Sequence, residues 1–152
     1  MTEPVQTRDA RPNEREALGE LHRRSSWVWE EDRPMLSAHP DALGVAPEAI
    51  AERRVRVAVD ARGRLLGFAV VASVEPQACE LDDLFVEPDM MRRGIGRALV
   101  ADAAASALAS GLRWMRVVAH PRNFPFYESV GFTPGEPATT RFGPAARMSR
   151  RL

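Results

Sequence analysis

The chain has 152 residues, 45% hydrophobic and 28% charged, which is typical of a globular protein that buries one core. Its 21 basic and 21 acidic residues cancel, so the formal net charge of zero predicts no general attraction to nucleic acid. One cysteine, Cys79, excludes an internal disulfide and a cysteine metal cluster, and no apolar run approaches the ~18 residues of a membrane span. The polar residues 1–10 lack the apolar segment of a signal peptide, so we expect a cytoplasmic protein forming a single domain over residues 1–152.

The first third of the chain predicts one short strand followed by helices. Residues 5–8 are compatible with a strand, and Pro12 then stands where the first turn of a helix tolerates proline. Apolar residues at helical spacing in 17–21 continue this helix towards Trp27 and Trp29. Three prolines then interrupt the pattern, so we expect only short helices before residue 54.

The middle of the chain predicts three strands. Residues 55–59 alternate valine with other residues, which is typical of a half-buried strand, and residues 60–64 have the composition of a turn. Residues 65–74 are almost continuously apolar and predict a central strand covered on both faces, with a bulge at Gly67. Residues 81–86 predict the third strand.

Residues 92–97, which we call the glycine loop, connect this third strand to an alanine-rich helix predicted over residues 95–110. Pro88 ends the strand because proline cannot donate to a continuing ladder. The two glycines of the loop let the backbone approach a ligand without an intervening Cβ. The first N–H groups of the helix lack intrahelical acceptors, and together with the positive helix end and neighbouring arginines they favour phosphate. We interpret the loop as a pyrophosphate-binding site.

Two other nucleotide-binding motifs do not match this loop. A Walker loop requires a lysine, and the chain contains none. A dinucleotide fingerprint requires a third glycine where Leu99 stands. A nucleotide enzyme on a doubly wound sheet is therefore disfavoured.

The last part of the chain predicts a helix stop, one clear strand and a short helix. Gly111 is well placed to end the alanine-rich helix, and residues 114–119 predict a strand. Residues 121–125 form a loop that leads into a short helix. Beyond Gly131, prolines divide the tail into short segments, with a closing strand predicted over residues 147–152.

Two motifs in this order resemble the GCN5-related N-acetyltransferase (GNAT) family. The family's acyl-coenzyme A loop, (Q/R)xxGx(G/A) after an apolar strand end and a proline, is similar to Leu84-Phe85-Val86-Glu87-Pro88 followed by Met91-Arg92-Arg93-Gly94-Ile95-Gly96. Met91 departs from the family's Gln or Arg. The family's FYExxGF segment is similar to Phe126-Tyr127-Glu128-Ser129-Val130-Gly131-Phe132. The resemblance covers residues 55–135 and implies an α/β fold with a mixed, mostly antiparallel sheet flanked by helices.

The resemblance further implies an acetyl-CoA-dependent N-acetyltransferase, with acetyl-CoA as co-substrate and no metal. The strand before the glycine loop would splay from its neighbour, and its main chain would bond the acetyl and pantetheine groups. The cofactor-binding residues expected in this way are Leu84, Val86, Arg92, Arg93, Gly94, Ile95, Gly96, Arg97 and Asn123.

Two residues are candidates for proton transfer. Tyr127 matches the family's tyrosine that protonates the leaving thiolate, although a tyrosine packed on the sheet would give the same pattern. Glu80 stands four residues before Leu84, where histone-acetylating members carry a glutamate base, and we expect it to take the amine proton through water. Asp82 lies on the same strand face and could instead hold a cationic substrate, and both carboxylates also fit solvated charges at a strand end.

The acceptor is expected to be a primary amine of a small molecule or peptide. Trp27 and Trp29 precede three carboxylates at residues 30–32, a composition that could bind a cationic amine. Cys79 lies well before the expected thioester position, so we expect direct attack in a ternary complex rather than an acyl-enzyme. The alternative is a non-catalytic acyl-CoA-binding sensor or regulatory module. No nucleic-acid or membrane partner is expected, and a homodimer is compatible with the family resemblance.

Overall fold

The computed structural model describes residues 5–152, including every side chain except that of Ala42. The strands are β1 (Gln6–Asp9), β2 (Val55–Val59), β3 (Leu65–Glu75), β4 (Ala78–Val86), β5 (Trp114–Ala119), β6 (Thr133–Thr140) and β7 (Gly143–Arg151). The helices are α1 (Arg15–Trp27), α2 (Arg33–Ala38), α3 (Pro47–Ala51), α4 (Ile95–Ala109) and α5 (Phe124–Ser129). The strands form one sheet in the order β1-β2-β3-β4-β5-β7-β6, which confirms the expected α/β fold. No helix in this described part is long and apolar enough to cross a membrane.

The sheet is mostly antiparallel and contains a parallel pair. β1 pairs with β2, β2 with β3, β5 with β7 and β6 with β7 in antiparallel register. β4 and β5 are parallel, and their ladder runs from Ala78 opposite Trp114 to Glu80 opposite Arg116. On β4 this ladder ends at Glu80.

The packing divides the described chain into two compact units, residues 5–70 with Asp83–Leu99, and Val71–Asp82 with Val100–Leu152. The core of the first unit comprises Ala10, Leu18, Leu21, Val45, Ala49, Ile50, Val55, Val57, Val59, Phe68 and Val70. In the second unit the largest fully buried side chains include Met115 and Met148. A single domain over residues 1–152 stays a prediction.

β3 is a central strand, but burial is limited to its first part. Residues 66–70 are buried, whereas residues 73–75 are exposed, so the prediction of full coverage was wrong for the end of the strand. An apolar residue such as Val74 is common on protein surfaces and does not itself require burial. The register between β2 and β3 shifts at Ala58 and Val59, opposite Gly67, which confirms the expected bulge.

Gly67 also permits a close approach of three elements in the first unit. A Cβ at this position would lie 2.8 Å from the carbonyl oxygen of Phe85 on β4. It would also lie 3.2 Å from side-chain atoms of Ile95 and Leu99 on α4. Only glycine therefore allows β4 and the start of α4 to pack this closely on β3.

Two other expectations need correction. β6 was not predicted, because its prolines suggested a broken tail. It is an edge strand, and a register shift separates Pro134 from Pro137, which is how edge strands accommodate proline. α1 ends at Trp27, so Trp29 lies outside the helix that was expected to continue towards it.

Candidate active site

The chain enters the glycine loop through a short 3-10 turn, Pro88–Met90, that follows β4. The backbone N–H of Glu87 donates to the carbonyl oxygen of Leu66 at 2.8 Å, which ties the end of β4 to β3. The N–H of Met90 donates to the carbonyl oxygen of Glu87 at 2.9 Å and closes the turn. The start of the loop is thus fixed by main-chain bonds to the sheet.

Two ion pairs also hold this entry. Arg24 on α1 donates from Nε and Nη2 to the two carboxylate oxygens of Glu87 at 2.8 and 2.7 Å. The Glu87 side chain is only 9% exposed, and its hydrogen bonds raise the pKa of the Arg24 guanidinium above its ordinary value. Arg64 donates to both carboxylate oxygens of Asp89 at 2.9 and 3.0 Å. Sequence spacing gave no signal for either pair.

The backbone of the glycine loop alternates through left-handed conformations. Arg92 has φ +63° and Gly94 has φ +85°. Ile95 is buried and starts α4, and the N–H of Ala98 donates to the carbonyl oxygen of Gly94 at 3.0 Å. Such alternation turns successive N–H groups towards a common point, an arrangement that binds anions.

The N–H groups of residues 92–96 are available to a ligand. Within residues 5–152, none of these five backbone groups donates a hydrogen bond to the protein. The side chains of Arg92, Arg93 and Arg97 are exposed beside them. Open donors, the positive end of α4 and guanidinium groups together suit a diphosphate.

The part of β4 that precedes the loop rests on an aromatic cluster. Phe85 stacks on His22 of α1 with ring centroids 4.0 Å apart, and Phe68 lies 5.7 Å from Phe85. His22 Nδ1 accepts a hydrogen bond from the N–H of Gly44 at 2.9 Å. Desolvation lowers the pKa of His22 to about 4, so the imidazole is neutral at pH 7. No sequence motif links His22 to Phe85 or Gly44.

Leu84 and Val86 flank Phe85 on β4 and are half-buried. Since neighbouring residues of a strand point to opposite faces, their side chains lie on the face opposite that of Phe85. Leu84, Val86 and the glycine loop all belong to the first unit.

Glu80 and Asp82 lie on β4 in the second unit. Glu80 is half-buried and stands opposite Arg116 in the β4–β5 ladder, while Asp82 is exposed. The Arg116 guanidinium forms an ion pair with Glu75. Neither carboxylate is deeply buried, so both remain candidates for proton transfer.

Tyr127 lies on α5, and Asn123 immediately precedes this helix, in the second unit. The Tyr127 ring is buried and makes edge contacts with Phe126 and Phe132, with centroid distances of 5.1 and 5.5 Å. Asn123 is half-buried, and its N–H donates to the carbonyl oxygen of His120 at 2.8 Å. The aromatic contacts fix the ring of Tyr127 and are compatible with both interpretations of this residue.

Trp27 is the last residue of α1, and Trp29 follows the helix. Trp27 is 41% exposed, and Trp29 is partly buried rather than a core residue. The Arg33 guanidinium lies 5.2 Å from the Trp27 ring centroid, and its Nε donates to the Trp27 carbonyl oxygen. The face of Trp27 therefore already contacts a cation of the same chain.

The profile of the acetyltransferase (GNAT) domain family matches residues 51–134, more than half of the chain. This match and the fold define an acyltransferase. The chain belongs to the GNAT acetyltransferase family. A comparison with curated protein sequences finds no match.

Solved structures share the fold over nearly the whole chain. PaiA N-acetyltransferase from Thermoplasma acidophilum, in complex with coenzyme A, is 20% identical, with a TM-score of 0.79 over 98% of this chain and 99% of that chain. Phosphinothricin acetyltransferase from Sinorhizobium meliloti, in complex with AcCoA, is 22% identical, with a TM-score of 0.69 over 100% and 89%. The ribosomal-protein-S18-alanine N-acetyltransferase from Escherichia coli is 18% identical, with a TM-score of 0.71 over 98% and 94%.

Proposed function

We propose that this protein transfers the acetyl group of acetyl-CoA to a primary amine by direct attack in a ternary complex. The observation that carries this proposal is the set of N–H groups of residues 92–96, which have no acceptor among the described residues. Donors left open at a helix start are the arrangement expected for a diphosphate. The coenzyme A and AcCoA complexes of two proteins with this fold support the choice of ligand.

The bound thioester supplies an activated acetyl group. In this proposal the glycine loop, through residues 92–97, binds the diphosphate. The main chain of Leu84 and Val86 bonds the acetyl and pantetheine groups, with an N–H polarising the thioester carbonyl. Asn123 contributes to binding the pantetheine arm, and no metal takes part.

Protons must leave the amine nitrogen and reach the thiolate during the reaction. A free amine has a pKa of ~10.4 and a thiol of ~8.5, so positioned groups assist both transfers. We assign the amine proton to Glu80, through water, so that the nitrogen lone pair can attack the carbonyl carbon. As the carbon–sulfur bond breaks, the nitrogen loses its second proton to water, which leaves a neutral amide, and Tyr127 donates a proton to the thiolate. Family membership supports these roles.

The acceptor class is a primary amine of a small molecule or a peptide. The structures named above include one enzyme for phosphinothricin and one for a ribosomal-protein alanine, so the fold serves both kinds of acceptor. Residues 27–32 are the candidate acceptor surface, although Arg33 already contacts Trp27. Cytoplasmic location, homodimeric assembly and the absence of nucleic-acid and membrane partners stay predictions.

The test is a thermal-shift titration with acetyl-CoA, followed by an assay for released thiol with a panel of amines. Binding to the native state raises the melting temperature with ligand concentration. Tyr127→Phe and Glu80→Gln are each expected to lower kcat about tenfold to a hundredfold with little change in acetyl-CoA binding. Binding without turnover on any amine would instead favour the sensor alternative.

A further inference from the structure

We propose that Arg24 is a positioning residue for the glycine loop, acting through the buried carboxylate of Glu87. The inference rests on the proposed function, because the effect is on binding of coenzyme A. Nothing in the glycine-loop motif itself points to Arg24, which lies on α1, 63 residues before Glu87.

The glycine loop depends on contacts with the rest of the first unit, because it forms few hydrogen bonds of its own. The N–H groups of residues 92–96 form no hydrogen bond with the described chain, so they do not hold the loop in shape. Its conformation therefore depends on its two ends. Buried Ile95 and the first turn of α4 fix one end, and the segment from Glu87 to Asp89 fixes the other.

At this second end, Glu87 is the residue held most firmly. Its N–H bonds Leu66, its carbonyl oxygen accepts from Met90, and its carboxylate makes two charge-assisted bonds to Arg24. The bidentate geometry fixes orientation as well as distance. The neighbouring Arg64–Asp89 pair differs in its carboxylate, because Asp89 is 64% exposed whereas Glu87 is 9% exposed, and pairs in which both partners are exposed contribute little.

Charge gives Arg24 a second role. Glu87 places a buried carboxylate five positions before Arg92, in a segment that leads to an anion-binding site. Paired with Arg24, this carboxylate is neutralised. Without Arg24, the Glu87 carboxylate would be unpaired, and its solvation by water would displace the turn. The carboxylate would also leave an uncompensated negative charge in the segment that leads to the negatively charged ligand. Loss of Arg24 should therefore be worse than loss of the charge on Glu87.

The chain offers a matched control in Arg8 and Glu14. This pair is also bidentate, with two contacts of 2.8 Å, and partly buried, but it joins β1 to the turn before α1. Both pairs belong to the first unit. A purely structural role would make the two pairs behave alike in every assay.

The experiment measures binding of coenzyme A by calorimetry, together with the melting temperature, in the full chain. Wild-type protein is measured first, and failure of wild type to bind would overturn the proposed function itself. Arg24→Met is expected to raise the Kd about tenfold, and Arg24→Lys, which keeps the charge but not the fork, about threefold. Arg8→Met is expected to lower the melting temperature with an unchanged Kd.

Glu87→Gln keeps the shape of the side chain and provides a milder variant in case Arg24→Met does not fold. We expect it to raise the Kd about twofold to threefold, and the double variant Arg24→Met with Glu87→Gln to bind better than Arg24→Met alone. Wild-type affinity in Arg24→Met, or in Glu87→Gln should the former not fold, would overturn the inference. Equal losses of affinity in Arg24→Met and Arg8→Met would also overturn it.

Discussion

The turn at residues 60–64 and the glycine loop both contain arginine and glycine and both belong to the first unit. They differ in whether their backbone N–H groups have acceptors within the chain. In the turn at residues 60–64, Asp60 Oδ1 accepts from the N–H groups of Arg62 and Arg64, both at 2.9 Å. Gly63 N–H donates to the Asp60 carbonyl oxygen, and Asp60 N–H to that of Arg64. In the glycine loop, the N–H groups of residues 92–96 donate to no described residue. One turn is closed on itself and the other is open.

This difference shows that composition does not decide whether a glycine turn leaves its N–H groups without acceptors. Both turns contain a glycine with nearly the same backbone conformation, φ +82° at Gly63 and φ +85° at Gly94. What separates them is an internal acceptor, the Asp60 carboxylate, which has no counterpart among residues 92–96. The open loop instead precedes a fifteen-residue helix whose N-terminus adds favourable potential for anions.

We expect the largest difference between the two turns when their glycines, Gly94 and Gly63, are replaced by alanine. An alanine Cβ would meet no other atom within 4 Å at Gly94 or at Gly63, so each substitution acts through the strained positive φ alone. Both should lose about 1 kcal/mol of stability, but Gly94→Ala should also lower the affinity for coenzyme A about a hundredfold, because the open N–H groups must rotate. Calorimetry and denaturant unfolding measure the two quantities.

The matched variant Gly63→Ala is the control for this prediction. It should bind coenzyme A with wild-type affinity, since the turn at residues 60–64 has no free donors to offer. Equal affinity losses in the two variants would show that loop strain, rather than open donors, explains the result.

A second, smaller effect concerns His22, which supports the strand leading to the open loop. Its native pKa is about 4, against an ordinary 6.5, so the unfolded chain takes up the proton first as the pH falls. The stability from neutral His22 is complete above pH 6.5 and is lost as the pH falls towards 4. Between pH 7 and pH 5 the loss should be about 2 kcal/mol.

His22→Gln keeps an acceptor for the N–H of Gly44 but cannot titrate. Unfolding by denaturant at several pH values should therefore show a flatter profile for this variant between pH 7 and pH 5. His39→Gln, at an exposed position, is the matched control and should follow wild type. Parallel profiles for wild type and His22→Gln would contradict the assignment of a neutral, buried imidazole.

Sequence patterns predicted many of the strands and helices, because the formation of these elements depends largely on residues that are close in the sequence. Alternation predicted β2 at residues 55–59, but the expectation of a half-buried strand was wrong, because every residue except Arg56 is buried. Alanine content with Gly111 predicted α4 and its end. The contacts of Arg24 with Glu87 and of His22 with Phe85 were not predictable, because each joins positions about sixty residues apart. No periodicity or motif encodes such a pairing. The loop motif predicted a ligand-binding loop, which stays a prediction, but not the contacts that hold the loop.

A third prediction concerns Asp60, the internal acceptor of the turn at residues 60–64. Asp60→Ala removes the shared acceptor of Arg62 and Arg64, and should lower the free energy of unfolding by about 1 kcal/mol. The affinity for coenzyme A should stay at the wild-type value, measured by calorimetry. A loss of affinity would mean that the two turns are coupled and cannot be treated as independent cases.

We expect the smallest effect when either of two arginines with positive φ is replaced by glycine. These are Arg92, with φ +63°, and Arg53, with φ +59°. Replacement of either by glycine removes the same backbone strain and adds the same unfolded-state entropy, so stability should change by less than about 1 kcal/mol in both. Only Arg92→Gly should weaken binding of coenzyme A, by about threefold, because it removes a charge beside the phosphates. Equal affinities in both variants would exclude a role for the Arg92 side chain.

The edge strand β6 and the candidate catalytic residues could not be established from the sequence. Pro134 and Pro137 suggested a loop, whereas β6 tolerates them because it lies at the sheet edge, and sheet order is not a local property. The roles of Tyr127 and Glu80 came from family resemblance and stay predictions, since packing around them does not report on proton transfer. Kinetics of the two variants decides them.

The most direct test of the central claim is an amide NMR titration of the full chain with coenzyme A. We expect the backbone N–H resonances of Gly94, Ile95 and Gly96 to shift strongly downfield and to gain protection from hydrogen exchange at saturation, while those of Gly63 and Arg64 do not move. Unchanged resonances at residues 92–96 with saturating coenzyme A, or protection of these groups in the free protein, would contradict it.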